Sequence, residues 1–235
     1  MRLDHYLVEK GLFESRTKAQ NAIKKSFVLV DGKIITKPSF EIDETMDVVV
    51  KDHKEYVSRA AWKLRHFLDE LSLDLKGKEA LDIGSSTGGF SEVLLEEGVL
   101  HVSAVDVGKE QLHPKIKNDP KVAVFEQTDI RDFHPQKKYD IIVSDVSFIS
   151  LLHILKDVDR LAKEDIILLF KPQFEVGITA KRDKKGVVKD QKAIALAMAR
   201  FEDSCDLLGW KLLQKSPSSI TGKEGNLEYC YYFKK

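Results

Sequence analysis

The sequence is poor in three things: cysteine, net charge and long apolar stretches. Two cysteines, Cys205 and Cys230, cannot build a disulfide framework, and they fit a reducing, cytoplasmic setting. The longest apolar runs, such as Ile166 to Phe170, are far too short to span a bilayer. The opening residues Met1-Arg2-Leu3-Asp4-His5 lack the basic-then-apolar pattern of a secretory leader, so nothing suggests export. The seven histidines show no His-x-His spacing, Cys-x-x-Cys is missing, and no structural zinc is expected. What is present is ordinary for a globular protein: 43% hydrophobic and 32% charged residues exclude wholesale disorder.

A formal net charge of zero gives no bulk argument for a nucleic-acid partner, but the charge is unevenly spread. From Met1 to Phe27 six basic residues face three acidic ones, and from Lys171 to Lys192 seven face three. Two local basic patches on a neutral chain suit phosphate binding; the alternative is two solvated faces.

Residues 1 to about 50 read as a small α+β unit. Leu3, Leu7, Val8 and Leu12 have helical spacing, a second helix runs from Ser15 to Lys25, and Asp31-Gly32 turns one short strand into the next. Val48 to Val50 closes the unit. A polar linker over 51–57 leads to a larger domain, 58–235. There a helix from Ser58 precedes alternating strands and helices: strand 79–83, helix 89–97, strand 101–105, helix near 110–117, strands 122–125 and 140–144, helix 151–162 and strand 165–170. That alternation predicts a parallel sheet covered on both faces. A helix over 190–208 and strands near 211–215 and 227–233 should end the domain, the last two as an antiparallel addition at the sheet edge.

The most informative segment is Ala80-Leu81-Asp82-Ile83-Gly84-Ser85-Ser86-Thr87-Gly88-Gly89-Phe90. A buried strand enters a glycine turn that opens a helix, where backbone can approach a ligand closely. Ser86 stands where a dinucleotide fingerprint needs glycine, and Phe90 follows Gly89 where a phosphate loop needs lysine. Asp82 can meet a cofactor ammonium, which no pyrophosphate cofactor presents. Asp106, at the end of the next strand, can accept both ribose hydroxyls of a nucleoside, and Asp129 can accept from an adenine amino group. The pattern is that of a methionine-nucleoside cofactor, S-adenosylmethionine. The competing reading is a tight turn with three helix-capping acids. The expected contacts are Asp82, Gly84, Ser85, Gly88, Gly89, Phe90, Asp106, Val107, Asp129 and Asp145.

Ser144-Asp145-Val146-Ser147-Phe148 lies where the methyl acceptor should sit. The Pro-Pro of base-amino methylases is absent, and neither cysteine sits in a strand-tip loop, as cytosine carbon-five methylation requires. Both thiols read as core. Lys171 ends an apolar strand, a costly place for a lysine without a use. With Lys63, Asp145 and Glu228 it makes two lysines and two carboxylates suited to deprotonating a ribose hydroxyl: an amine depressed by its neighbours takes the proton, and the carboxylates orient the ammoniums. Taken singly, Lys63 reads equally as a surface helix residue and Glu228 as a sheet-edge solubiliser.

Motifs across nearly the whole chain resemble the FtsJ-like ribose methyltransferases, and more closely the TlyA (hemolysin-A-like) rRNA methyltransferases. They include Ser58-Arg59-Ala60-Ala61-Trp62-Lys63-Leu64, the glycine turn, Ser144 to Phe148, Lys171-Pro172-Gln173-Phe174-Glu175 and Gly225-Asn226-Leu227-Glu228-Tyr229. The resemblance implies a Rossmann-like S-adenosylmethionine-dependent methyltransferase sheet, a catalytic Lys63, Asp145, Lys171 and Glu228 set, and 2′-O-methylation of cytidine in ribosomal RNA, 23S before 16S. The N-terminal unit resembles the RNA-binding domain of small-subunit ribosomal protein four, with Ser26 where that pattern has glycine. RNA contacts are expected at Arg2, Arg16, Lys18, Lys24, Lys25, Arg59, Lys181, Arg182, Lys184 and Lys185, on ribosomal RNA or a ribosomal subunit. The alternatives are a ribosome-associated RNA-binding protein with a silent cofactor domain, and a hemolysin.

Overall fold

The computed structural model describes residues 1–24, 27–43, 45–50 and 56–235. The chain divides into two compact units, Met1–Glu55 and Tyr56–Lys235. Most of the expected linker, 51–55, lies outside the described residues, as do Lys25 and Ser26.

In the first unit α1 (Leu3–Glu9) and α2 (Arg16–Lys24) pack on a sheet of β1 (Val28–Val30), β2 (Lys33–Ile34) and β3 (Val48–Val50), in the order β2-β1-β3. Leu3, Leu7, Ala19, Ala22, Ile23, Val28 and Val30 form its core, which is the spacing the helical and alternating patterns call for. Asp4 is buried in this small unit because its carboxylate is saturated. It accepts from Arg2 Nε at 3.0 Å, Arg16 Nε at 3.0 Å and Gln20 Nε2 at 2.6 Å. These bonds, led by that from Arg2, hold its pKa below the usual carboxylate range.

The second unit opens with α3 (Ala60–Asp69) and continues through β4 (Glu79–Ile83), α4 (Gly89–Glu96), β5 (His101–Val105), α5 (Pro114–Lys117), β6 (Val122–Phe125) and β7 (Tyr139–Ser144). Then come α6 (Leu155–Leu161), β8 (Ala162–Phe170), α7 (Pro172–Glu175), α8 (Gln191–Leu207), β9 (Lys211–Pro217) and β10 (Tyr229–Lys234). The seven strands run in the order β6-β5-β4-β7-β8-β10-β9. Strands β4 to β8 are parallel, and β10 inserts antiparallel between β8 and β9. This is the Rossmann-like sheet with an antiparallel edge that the alternation predicts.

Alternate side chains of the strands feed two apolar layers. Leu81 and Ile83 join the layer with α6 and α8, while Ala80 joins the layer with α3 and α4. On α3, Ala61, Leu64, Phe67 and Leu68 make the buried stripe, each large one contributing about 1.5–3 kcal/mol relative to exposure. Asp82 shares the face of Ala80, so its carboxylate is driven under α4.

Two expected helices are shorter than their patterns. The one near 110–117 is only α5, because Glu126 Oε1 accepts from Gln111 N and Leu112 N and holds the preceding residues in a turn. The one over 151–162 splits into a 3-10 turn, Leu151–His153, and α6, and β8 starts already at Ala162. The one-turn helix α7 has too few residues to leave a periodic signal.

Candidate active site

Four parallel strands each place one residue just past their last paired position: Gly84 after β4, Asp106 after β5, Asp145 after β7 and Lys171 after β8. The chain reverses its direction of travel across the sheet at β4, so these tips surround the crevice where open α/β sheets bind ligands. The pairing of Tyr229 with Phe170 brings Glu228 to the same mouth.

The glycine turn is shaped for a ligand. Gly84 has φ +79°, and a Cβ there would lie 3.0 Å from Val146 Cγ1. Gly89 opens α4 against Ser58 Oγ and Ala61 N, where no Cβ fits. Ser58 Oγ is itself buried without a hydrogen-bond partner. Asp82 is fully buried. One oxygen accepts from Ser91 Oγ at 2.6 Å, and the other has no partner. Burial, with Asp145 and Asp106 adding repulsion, pushes its pKa up to about 7. An orphaned buried carboxylate oxygen beside a Cβ-free turn is what a cofactor carrying an ammonium group would satisfy.

Asp106 accepts from Ser86 N at 2.8 Å and Gly108 N at 2.7 Å, which aims its carboxylate across the strand tips. A cavity of about 320 Å³ opens there, lined by Gly84, Asp106, Val107, Asp129, Asp145 and Phe148 among others. A second cavity of about 210 Å³ is lined by Ser58, Arg59, Ser85, Gly89, Phe90 and Lys171 with their neighbours. Asp129 is held by Arg131, whose Nη2 lies 2.6 Å from it, and this keeps its pKa low. Gly88 is the N-cap position of α4.

The two lysines and two carboxylates meet in one buried cluster. Lys63 Nζ donates to Glu228 Oε2 at 2.6 Å and lies 3.8 Å from Asp145 Oδ2. Lys171 Nζ stands 2.5 Å from Asp145 Oδ1 and donates to Ser147 Oγ at 2.8 Å and to Asp145 O at 3.3 Å. Both lysine side chains are 7% exposed and that of Glu228 is 2% exposed. Burying four charges is tolerable because they sum to zero and each has a partner. The surface-helix reading of Lys63 and the sheet-edge reading of Glu228 do not describe these positions.

Several residues of the site escape sequence reasoning. Ser147 bonds Lys171. Gln173 Nε2 donates to Glu228 Oε1 at 3.0 Å. Glu175 accepts from Ser150 Oγ and Leu151 N, tying the α7 turn to the loop after β7, and burial pushes its pKa up. Phe148 is 91% exposed at φ +66°, its ring 5.3 Å from that of Phe174. All of them belong to the two motifs that carry Asp145 and Lys171, which is the signal that points to them. Cys205 and Cys230 are buried core residues, and burial pushes the Cys230 thiol up to about 12.

The basic residues differ in what they leave available. Arg2 and Arg16 both bond Asp4, and Lys18 bonds Glu14; Lys24 is exposed. Arg59 donates to Thr221 O. Lys181, Lys184 and Lys185 are exposed on the loop before α8. Arg182 on that loop is turned inward and donates to the carbonyls of Gln173, Gly177 and Ala180. Among the described residues no helix is long and apolar enough to cross a membrane.

Comparison with known proteins agrees with this geometry. The family model for FtsJ-like methyltransferases matches residues 56–235, and that for the S4 domain matches residues 1–49. The chain is 46% identical to the 23S rRNA (cytidine-2′-O)-methyltransferase TlyA of Campylobacter jejuni, over 99% of both chains. It is 38% identical to the 16S/23S rRNA (cytidine-2′-O)-methyltransferase TlyA of Mycobacterium tuberculosis, over 99% of this chain and 89% of that one. A solved structure from Streptococcus thermophilus that carries the hemolysin label has a TM-score of 0.73 and 31% identity, covering 100% of this chain and 88% of its own.

Proposed function

The chain belongs to the FtsJ-like methyltransferase family, with an S4 domain ahead of the catalytic unit, and on that footing we propose that it methylates the ribose 2′-hydroxyl of a cytidine in ribosomal RNA, using S-adenosylmethionine. The observation that carries this reading is the buried cluster of Lys63, Asp145, Lys171 and Glu228 beside the Gly84–Gly89 turn.

The residues at the strand tips fit the cofactor. Asp106 would hold its ribose hydroxyls, Asp129 its adenine amino group, and Asp82 its ammonium, with the backbone of Gly84, Ser85, Gly88 and Gly89 closing on the rest and Val107 and Phe90 supplying apolar walls. When bound, S-adenosylmethionine supplies a methyl group activated by a sulfonium charge. A ribose hydroxyl is a poor nucleophile and must shed its proton as its oxygen forms the new bond to carbon. Lys171 Nζ is the acceptor assigned to that proton. Asp145 and Ser147 fix the position of its Nζ and stabilise the ammonium that results. Lys63, held by Glu228, sets a second positive charge beside Asp145.

The S4 unit and the loop carrying Lys181, Lys184 and Lys185 bind the RNA through phosphate contacts, in the cytoplasm. The 23S molecule is proposed ahead of 16S because the relative named for 23S alone has the higher identity, 46% against 38%. Reaction of purified rRNA with labelled S-adenosylmethionine, followed by digestion to nucleosides, tests the reading. The label is expected in 2′-O-methylcytidine; label in a base-methylated nucleoside, or in none, contradicts it.

A further inference from the structure

Proton transfer to Lys171 makes no use of one side chain at the heart of the cluster. Gln173 Nε2 donates to Glu228 Oε1 at 3.0 Å, while Lys63 takes the other oxygen, Oε2, at 2.6 Å. A carboxylate only accepts, so its partner must be the NH₂ end of the amide, and this fixes which way the amide points. The amide oxygen is left buried and without a hydrogen-bond partner. An orphaned buried acceptor is a cost that a leucine of similar shape would not incur, so packing alone does not explain glutamine here.

Glu228 is confined from other sides as well. A Cβ on Gly222 would stand 2.6 Å from Glu228 Oε1, and Gly222 N donates to Asn226 O at 2.8 Å, closing the preceding loop over the carboxylate. Gln173 is in turn fixed through its backbone, because Arg182 Nη2 donates to Gln173 O at 3.1 Å. The charged groups around the pair are Lys63, Asp145 and Arg182.

We infer that Gln173 is a positioning residue for methyl transfer: its amide holds the second oxygen of Glu228, and through Glu228 it sets where the Lys63 ammonium stands beside Asp145. The inference rests on the ribose-methylation reading above. It accounts for an amide rather than a carboxylate at this place, since a carboxylate would repel Glu228 and release Lys63 from its position.

The test compares wild type, Gln173→Leu and Gln173→Glu by methyl transfer to rRNA across pH, with cofactor affinity followed by calorimetry. Gln173→Leu should lose kcat by about ten-fold or more, the scale of one hydrogen bond to a charged group, while KM for cofactor and RNA stays within about two-fold. Gln173→Glu should lose more than this at pH 8, and regain activity relative to wild type as the pH falls and the introduced carboxyl becomes a donor to Glu228. A side chain that only fills space gives no such recovery. If Gln173→Leu fails to bind cofactor through misfolding, the pH profile of Gln173→Glu decides. Gln173→Leu with wild-type kcat, or Gln173→Glu with a wild-type pH profile, overturns the inference alone. A wild-type protein that transfers no methyl group to rRNA overturns the reaction and the inference together.

Discussion

Lys63 and Glu228, 165 positions apart in the chain, are joined by a 2.6 Å bond that is almost wholly buried. It links the first helix of the catalytic unit to the residue just before its last strand. Breaking such a pair from one side strands a charge away from water. Glu228→Ala should therefore destabilise the protein by about 3–5 kcal/mol. The double variant Lys63→Met/Glu228→Leu should lose much less, because no buried charge is left over. Urea unfolding of the three proteins checks this; equal losses for the single and double variants would mean the pair is not a buried ionic contact.

Asp106 bonds the backbone at Ser86 and Gly108 and should in addition accept from the cofactor ribose. Asp106→Ala should weaken S-adenosylmethionine binding by about 2–4 kcal/mol, the worth of hydrogen bonds to a charged acceptor. Calorimetry giving an unchanged Kd removes Asp106 from the site.

Asp82 gives the cofactor site a pH dependence of definite sign. Its pKa is raised to about 7, so without cofactor the carboxyl is largely neutral below that pH and ionised above it. An ammonium group prefers the ionised form. Cofactor affinity should rise as the pH goes from 6 to 8, and binding near pH 7 should release protons, visible as a buffer-dependent enthalpy. Asp82→Asn should abolish that dependence. The same shift bears on stability in the opposite sense: the folded state holds this proton more tightly than the unfolded chain does, so the cofactor-free protein loses stability as pH rises from about 4 to about 7. Affinity that is flat over the range and independent of buffer excludes Asp82 as the group that meets the ammonium.

RNA binding should respond differently to two kinds of basic residue. Replacing Lys181, Lys184 and Lys185 by glutamine should weaken rRNA binding and make its salt dependence shallower, the slope falling by roughly one for each phosphate no longer neutralised. Arg182→Gln should act mainly by loosening the loop and Gln173, and so lower kcat. Deleting residues 1–50 should raise the Kd for RNA with little change in cofactor affinity. Identical salt slopes for wild type and the triple variant would assign these lysines to a solvated surface.

What the sequence reveals of fold and site follows from the range of each interaction. The parallel sheet and its antiparallel edge are legible because each strand and helix carries its own periodicity, and Gly84, Asp106, Asp145 and Lys171 are legible because each ends a strand pattern. Lys63 is read as a member of the same set as Glu228, but which oxygen it takes, and that Gln173 takes the other, depends on how α3 and the register of β10 on β8 bring these residues together. The division of the 151–162 helix depends on Glu175, over twenty positions away, receiving the Ser150 hydroxyl and Leu151 amide. Charge alone marks Arg182 as a phosphate ligand; its three carbonyl partners become visible only when the loop is folded.

Nucleotide-resolution mapping of ribose methylation on both rRNAs, after reaction with wild type and with Lys171→Arg, shows whether the protein methylates a cytidine ribose and whether Lys171 is needed for the transfer. Arginine keeps the charge but does not deprotonate in a protein, so the variant should bind cofactor and RNA and yet transfer methyl about 10²-fold more slowly or worse. Wild type should leave a 2′-O-methylated cytidine in 23S rRNA, and Lys171→Arg almost none in the same reaction time. No ribose methylation by wild type, or an equal mark from the variant, contradicts this reading.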